Sequence, residues 1–173
     1  MQTIKGKRLE LLHNTHPENL TELLLSLRDV ERGFLVSEII HDPLLLPDIQ
    51  KAIERIAQAR SLKERVMIFG DYDVDGISST AALFLFLRDE LGMDVSYRLP
   101  HRVHDGYGIK SYHMDEIAKT GTKLVVTVDC GTKDAVPIEH ARALGMDVIV
   151  TDHHSCPEIL PQCVAVVNPQ RSD

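Results

Sequence analysis

A chain of 173 residues is long enough for one α/β domain with an appendage and too short for two full domains. Its 43% hydrophobic and 26% charged residues exclude a disordered chain, and no apolar run reaches the roughly 18 residues of a membrane span. A formal net charge of −7, taken alone, speaks against a surface coated for non-specific nucleic-acid binding, but it does not exclude a nuclease, since it accommodates carboxylates clustered around cations.

Residues 1–60 read as a helical amino-terminal extension, with apolar stripes at Leu20, Leu23, Leu24 and Leu27 and again at Ile49, Ile53 and Ile56. His41-Asp42-Pro43 interrupts the pattern, because a residue before proline avoids helix. His13, His16 and His41 read as solvated surface. Residues 1–10 are basic and polar without an apolar core, so they are not a secretory signal.

From residue 61 to 173 the texture alternates. Strands are predicted over 66–69, 95–99, 124–128, 148–150 and 164–167, where the runs are apolar and largely β-branched. Helices are predicted over 78–91, 111–119 and 135–144, stopped by Gly92, Gly121 and Gly145. This rhythm predicts an α/β fold: a doubly wound, mostly parallel sheet with helices on both faces, preceded by an amino-terminal helical segment. Cys130, Cys156 and Cys163 form no C-x-x-C pair, which points to reduced thiols and a cytoplasmic location. Cys130 reads as a small packing residue, since no base stands beside it.

In open parallel sheets, ligands bind beyond the carboxyl ends of the strands. Three predicted strands end in polar clusters: Asp71-Tyr72-Asp73-Val74-Asp75-Gly76, Asp129-Cys130-Gly131 and Asp152-His153-His154. Carboxylates with a few imidazoles suit hard or borderline divalent ions, with Mn²⁺ ahead of Zn²⁺ because no thiolate set is present. So many like charges in one cleft would destabilise the fold unless cations joined them. Each motif also has a plainer explanation. An EF-hand loop would need an acid at its twelfth position, which is Ala82, and a helix ahead of it, where a strand is predicted. A dehalogenase-type phosphatase would want Thr or Val where Asp75 or Ile77 stands. Helix capping explains one aspartate of the first motif, not all three.

Together the three motifs resemble motifs one to three of the DHH phosphoesterase superfamily. Residues 100–108, with Arg102 and Gly106-Tyr107-Gly108, are similar to the Arg…Gly-Tyr-Gly stretch of its RecJ branch, as is Asn168-Pro169, and Arg32-Gly33-Phe34-Leu35 is compatible with it. Phe69 stands where phosphatases of the superfamily often carry histidine, which argues against a pyrophosphatase. The resemblance implies Asp71, Asp73, Asp75, Asp129 and His153 as metal ligands, His154 facing the phosphate, and Asp152 orienting the histidines. It implies two Mn²⁺ ions, with Mg²⁺ as the alternative, and 5′ to 3′ hydrolysis of single-stranded DNA in repair and recombination. Implied partners are single-strand-binding protein and a helicase, and no membrane.

Arg98, His101, Arg102, His104 and Lys110 form a basic strip around Tyr107, suited to phosphate contact and base stacking, or else a mobile loop with scattered charges. The family's fourth-motif aspartate and closing domain would lie beyond Asp173, so the chain is expected to be incomplete and weak as an isolated nuclease. The alternatives are a small-substrate phosphodiesterase acting on oligonucleotides or cyclic dinucleotides, and a catalytically incomplete fragment that binds metal, DNA or a protein.

Overall fold

The computed structural model describes residues 20–29, 33 and 41–171. His13, His16, Arg32, Phe34 and Leu35 lie outside the described residues. The chain divides into two compact units, residues 1–41 and 42–173. In the first, helix α1 (Leu20–Ser26) carries Leu20, Leu23 and Leu24 of the leucine stripe, with Leu27 in the turn after it, and buries none of its residues; His41 is exposed. No helix among the described residues is long and apolar enough to cross a membrane.

The second unit opens with a short 3₁₀ turn (Pro43–Leu45), capped by Asp42, whose carboxylate accepts the Leu44 N–H at 2.9 Å. Helix α2 (Ile49–Ser61) follows. The apolar periodicity puts its stripe at Ile49, Ile53 and Ile56, in an extension ending at residue 60. Ile49 and Ile56 do pack against the core of this unit, but the buried apolar residues of the helix are Ala52 and Ala59, while Ile53 is 47% exposed. The boundary between units therefore falls at 41/42, because α2 covers the sheet.

The remaining elements are β1 (Val66–Gly70), α3 (Val74–Leu85) continued by a π turn (Phe86–Glu90), β2 (Val95–Arg98), α4 (Ser111–Ala118), β3 (Leu124–Val128), α5 (Ala135–Ala143), β4 (Asp147–Thr151) and β5 (Ala165–Val167). All strand pairs are parallel, in the order β2-β1-β3-β4-β5. Alternation along the strands divides the core. Val66, Ile68, Leu124, Val126, Ile149 and Val167 join α2 and α3 on one face. Met67, Phe69, Val125, Val148, Val150 and Val166 join Met114 and Ile117 of α4 and Ile138 and Ala141 of α5 on the other. β1 and β3 are buried at every residue, which is why they read as continuous apolar runs. The predicted doubly wound sheet with helices on both faces is the fold observed.

The order reverses between β1 and β3, and such a switch point opens a crevice at the carboxyl edge. Register then aligns the edge. Gly70 pairs with Val128, Val128 with Thr151, and Thr151 with Val167. The residues that follow this row are Asp71, Asp129, Asp152 and Asn168, all buried polar groups.

Candidate metal centre

Helix α3 begins at Val74, four residues before the predicted 78, because the acidic run supplies its cap. Asp73 Oδ1 accepts the N–H groups of Asp75 and Gly76, both at 3.0 Å. The helix start then folds tightly onto the end of β1. A Cβ on Gly76 would lie 2.4–2.6 Å from backbone atoms of Asp71, so only glycine fits there. After β3 the chain turns sharply: Asp129 takes a left-handed φ of 61°, strained for a residue with a side chain.

These turns bring the predicted ligands into two overlapping groups. Asp71, Asp73 and Asp129 form one, and Asp129, His153 and His154 the other; within each, one ligand atom per residue lies within 4.8 Å of the rest. Asp129 belongs to both, and its Oδ1 lies 2.9 Å from His153 Nε2. Asp75 belongs to neither group, although it lines, with Asp129 and His153, an adjoining cleft of about 540 Å³. Its place in the first turn of α3 sets it apart from Asp71 and Asp73. His154, which the resemblance placed against the phosphate, is within ligand distance as well.

Asp152 holds the histidine loop. Its Oδ1 accepts the N–H groups of His153 and His154 at 2.7 and 3.1 Å and meets His154 Nδ1 at 2.7 Å, while Oδ2 accepts the Thr132 N–H at 3.0 Å. Burial pushes the Asp152 carboxyl up, but these hydrogen bonds outweigh it and hold it below the usual range. Asp71 and Asp129 are the opposite case. Burial, with the Asp73 charge beside each, holds both above the usual range. Asp71 Oδ1 and Asp129 Oδ2 are buried and have no hydrogen-bond partner among the described residues. Desolvated carboxylate oxygens left in this way are costly, and a divalent cation is the partner that fits an oxygen-rich set with imidazole.

The basic strip is partly consumed within the protein. Arg98 pairs with Glu116, and the Lys110 ammonium donates to the Tyr107 carbonyl at 2.8 Å. The Arg102 guanidinium lies 5.2 Å from the centre of the Tyr72 ring. Tyr107 is 44% exposed, and its hydroxyl is 3.2 Å from His154 Nδ1, beside the second group. Gly106 and Gly108 flank it with φ of 69° and 78°.

Two contributors went unread in the sequence. Asp134 stands where a cap for α5 is expected, yet its side chain makes no cap and accepts the Ile109 N–H at 3.1 Å instead. Asn168, noticed only as part of a motif, is wholly buried. It donates to Thr132 Oγ1 at 3.0 Å and to the His154 carbonyl at 2.9 Å. No local pattern could have announced these partners.

Residues 65–173 match the DHH family, N-terminal domain. The chain is 41% identical over 132 residues to the single-stranded-DNA-specific exonuclease RecJ of Dickeya dadantii, covering 76% of this chain and 23% of that protein. It is 35% identical over 168 residues to the RecJ of Bacillus subtilis, covering 91% of this chain and 21% of that protein. The chain thus spans less than a quarter of the length of these relatives. A crystal structure of exonuclease RecJ bound to manganese superposes with a TM-score of 0.70 at 32% identity, over 77% of this chain and 34% of that one. RecJ from Thermus thermophilus in complex with Mn²⁺ superposes with a TM-score of 0.63 at 30% identity, over 74% and 18%. The chain belongs to the DHH family, and the part of it described here is of the RecJ type.

Proposed function

We propose that this chain carries the metal centre of a nuclease that hydrolyses phosphodiester bonds, acting 5′ to 3′ on single-stranded DNA in repair and recombination. Mn²⁺ is the proposed ion, with Mg²⁺ able to replace it. The observation that carries this reading is the pair of buried, partnerless oxygens Asp71 Oδ1 and Asp129 Oδ2, grouped with Asp73. Desolvated carboxylates grouped in this way call for a cation. The relatives supply the polymer and the ion: both are named for single-stranded DNA, and both solved structures hold manganese.

In this reading Asp71, Asp73, Asp129 and His153 hold the ions, with Asp75 facing them from the adjoining cleft. When bound, a divalent pair supplies an activated water and neutralises charge on the phosphoryl oxygens. The chain's own groups orient and bind. An ionised Asp152 can only accept, so His154 Nδ1 carries a proton toward it, and Nε2 donates to a phosphate oxygen when the ring bears hydrogen on both nitrogens. Tyr107 offers an exposed ring for a base and Arg102 a charge for the backbone, on a segment that Gly106 and Gly108 allow to bend. Single-strand-binding protein and a helicase are the proposed partners, and the cytoplasm the proposed location.

The test is nucleotide release from end-labelled single strands, duplexes, dinucleotides and cyclic dinucleotides, with Mn²⁺, Mg²⁺ or chelator. Mn²⁺-dependent release from the 5′ end of single strands, weak in this chain and absent in Asp129→Asn, is expected. Preference for cyclic dinucleotides, or cleavage indifferent to chelator, would overturn the proposal.

A further inference from the structure

The segment 100–110 brings Arg102 and Tyr107 to the mouth of the site without helix or strand of its own. It is fastened from below at three points. Asp105 accepts the His101 N–H at 2.6 Å and the Tyr112 hydroxyl at 2.7 Å. Asp134 accepts the Ile109 N–H at 3.1 Å. The third fastener is His113 of α4, wholly buried, its ring centre 5.1 Å from that of Phe69 and 4.3 Å from that of Tyr112.

His113 Nδ1 accepts the Lys110 N–H at 3.1 Å. Its Nε2 has no hydrogen-bond partner among the described residues and lies 3.5 Å from Asp105 Oδ2. A backbone N–H can only donate, so Nδ1 holds the lone pair and the proton of the neutral ring sits on Nε2. Lys110 precedes the first residue of α4, and a side chain at the third helical position that reaches back to that N–H is usually Glu or Gln. Here a titratable ring does this work. Lys110 also donates its ammonium to the Tyr107 carbonyl, and the Tyr107 hydroxyl is 3.2 Å from His154 Nδ1. One short chain of contacts therefore runs from His113 to the site.

We propose that His113 is the positioning residue of this segment: as a neutral imidazole it holds Lys110, and through it Tyr107, beside His154, and on protonation it releases them. A protonated ring bears hydrogen on both nitrogens and turns one of them against the Lys110 N–H. The charged and titratable groups around the ring are Asp105 and Lys110 of the segment, Arg98 of β2, and Tyr112 and Glu116 of α4; β1 contributes only the Phe69 ring. Burial, with Arg98 adding to it, holds His113 below the ordinary histidine range against the pull of Asp105 and Glu116. The latch is thus closed at neutral pH and opens in acid. Its consequence for DNA rests on the strand-binding role proposed above; its mechanism does not.

The test uses the ion-free 173-residue chain and His113→Gln, titrated from pH 8 downward by nitrogen and amide NMR. Glutamine keeps an acceptor for the Lys110 N–H and does not titrate. The wild-type ring is expected as the Nε2–H tautomer at pH 8, with the Lys110 and Tyr107 amides following the His113 midpoint, a shared transition that the variant lacks. An Nδ1–H tautomer, or amides that ignore His113, overturns the latch. A labelled oligothymidylate is then titrated against both proteins with Mn²⁺. Each pH unit below the His113 midpoint should cost the wild type about tenfold in binding relative to His113→Gln. Parallel pH curves of strong binding overturn the positioning role. The shared NMR transition with no oligothymidylate binding at any pH supports the latch and counts against the strand-binding reading.

Discussion

Replacing Asp129 by asparagine should reverse an order of stability. Asp129 is 7% exposed, and its ligand oxygens lie within 4.8 Å of those of Asp71 and Asp73. At that separation and an effective dielectric of about 20, two unit charges repel by about 3.5 kcal/mol. Asp73 is exposed, and solvent screening reduces the net effect to about 1–2 kcal/mol. Asparagine preserves the volume, keeps an acceptor for His153 Nε2 and tolerates the left-handed backbone better than most residues. The ion-free variant should therefore melt about 3–6 °C above the wild type. In Mn²⁺ at a hundredfold excess over its dissociation constant, the wild type gains about 2.7 kcal/mol and the variant, short of a charged ligand, only a fraction of that. The order then inverts. The sign in pH follows from the raised Asp129 pKa. Stability associated with that group is fully present below the ordinary value of 3.8 and is lost as pH rises through the folded-state value. The ion-free gap between variant and wild type is thus closed in acid and opens on the way to neutral pH. Scanning calorimetry with chelator and with Mn²⁺ reads both effects. A wild type at least as stable as the variant in chelator, or an equal Mn²⁺ shift in both, would refute the reasoning.

Three further outcomes are expected. Gly76→Ala puts a Cβ within 2.4 Å of the Asp71 backbone and should lose about 3 kcal/mol in denaturant unfolding. Asp152→Asn removes a charged acceptor for the Thr132, His153 and His154 N–H groups, at about 1–3 kcal/mol. Because the Asp152 pKa is held low, the wild-type advantage is present above pH 3.8 and fades as pH falls through the folded-state value, which an acid titration followed by circular dichroism would record. Leu87→Ala, in the core away from the site motifs, should cost about 2–5 kcal/mol while the melting shift produced by Mn²⁺ keeps its wild-type size.

The sheet was legible because its strands are covered on both faces, so each appears as an uninterrupted apolar run. The helix stops were legible for a different reason: Gly92, Gly121 and Gly145 all take left-handed φ, of 64°, 81° and 79°, which the glycines announce. The start of α3 was not, because an aspartate can cap a helix and sit among metal ligands with the same side chain, and Asp73 does the first while grouped with Asp71 and Asp129. The place of α2 was hidden by its alanines, which pack closely but carry little weight in a periodicity count, whereas the more conspicuous Ile53 faces solvent. Topology alone pointed to the strand-end aspartates and histidines of the candidate site, of which Asp75 falls outside both groups. Asp134, Asn168 and His113 were not legible, since each acts on partners set by tertiary folding rather than by spacing.

The register of the sheet explains why the site can exist at all. Gly70, Val128, Thr151 and Val167 form one hydrogen-bonded row, and each is followed at once by a buried polar residue. Apolar side chains on both faces hold that row in place, and a slip of one residue in any strand would exchange its two core faces. The aspartates are therefore not drawn together by their own interactions, which are repulsive between Asp71, Asp73 and Asp129. They are carried to one point by strands whose packing is indifferent to charge. Hydrogen bonds relieve Asp152 completely and Asp71 and Asp129 only in part, leaving one unsatisfied oxygen on each of the latter two. The residual electrostatic cost is concentrated at the switch point between β1 and β3, where a divalent cation would remove it and where a phosphoryl group could approach from the open edge.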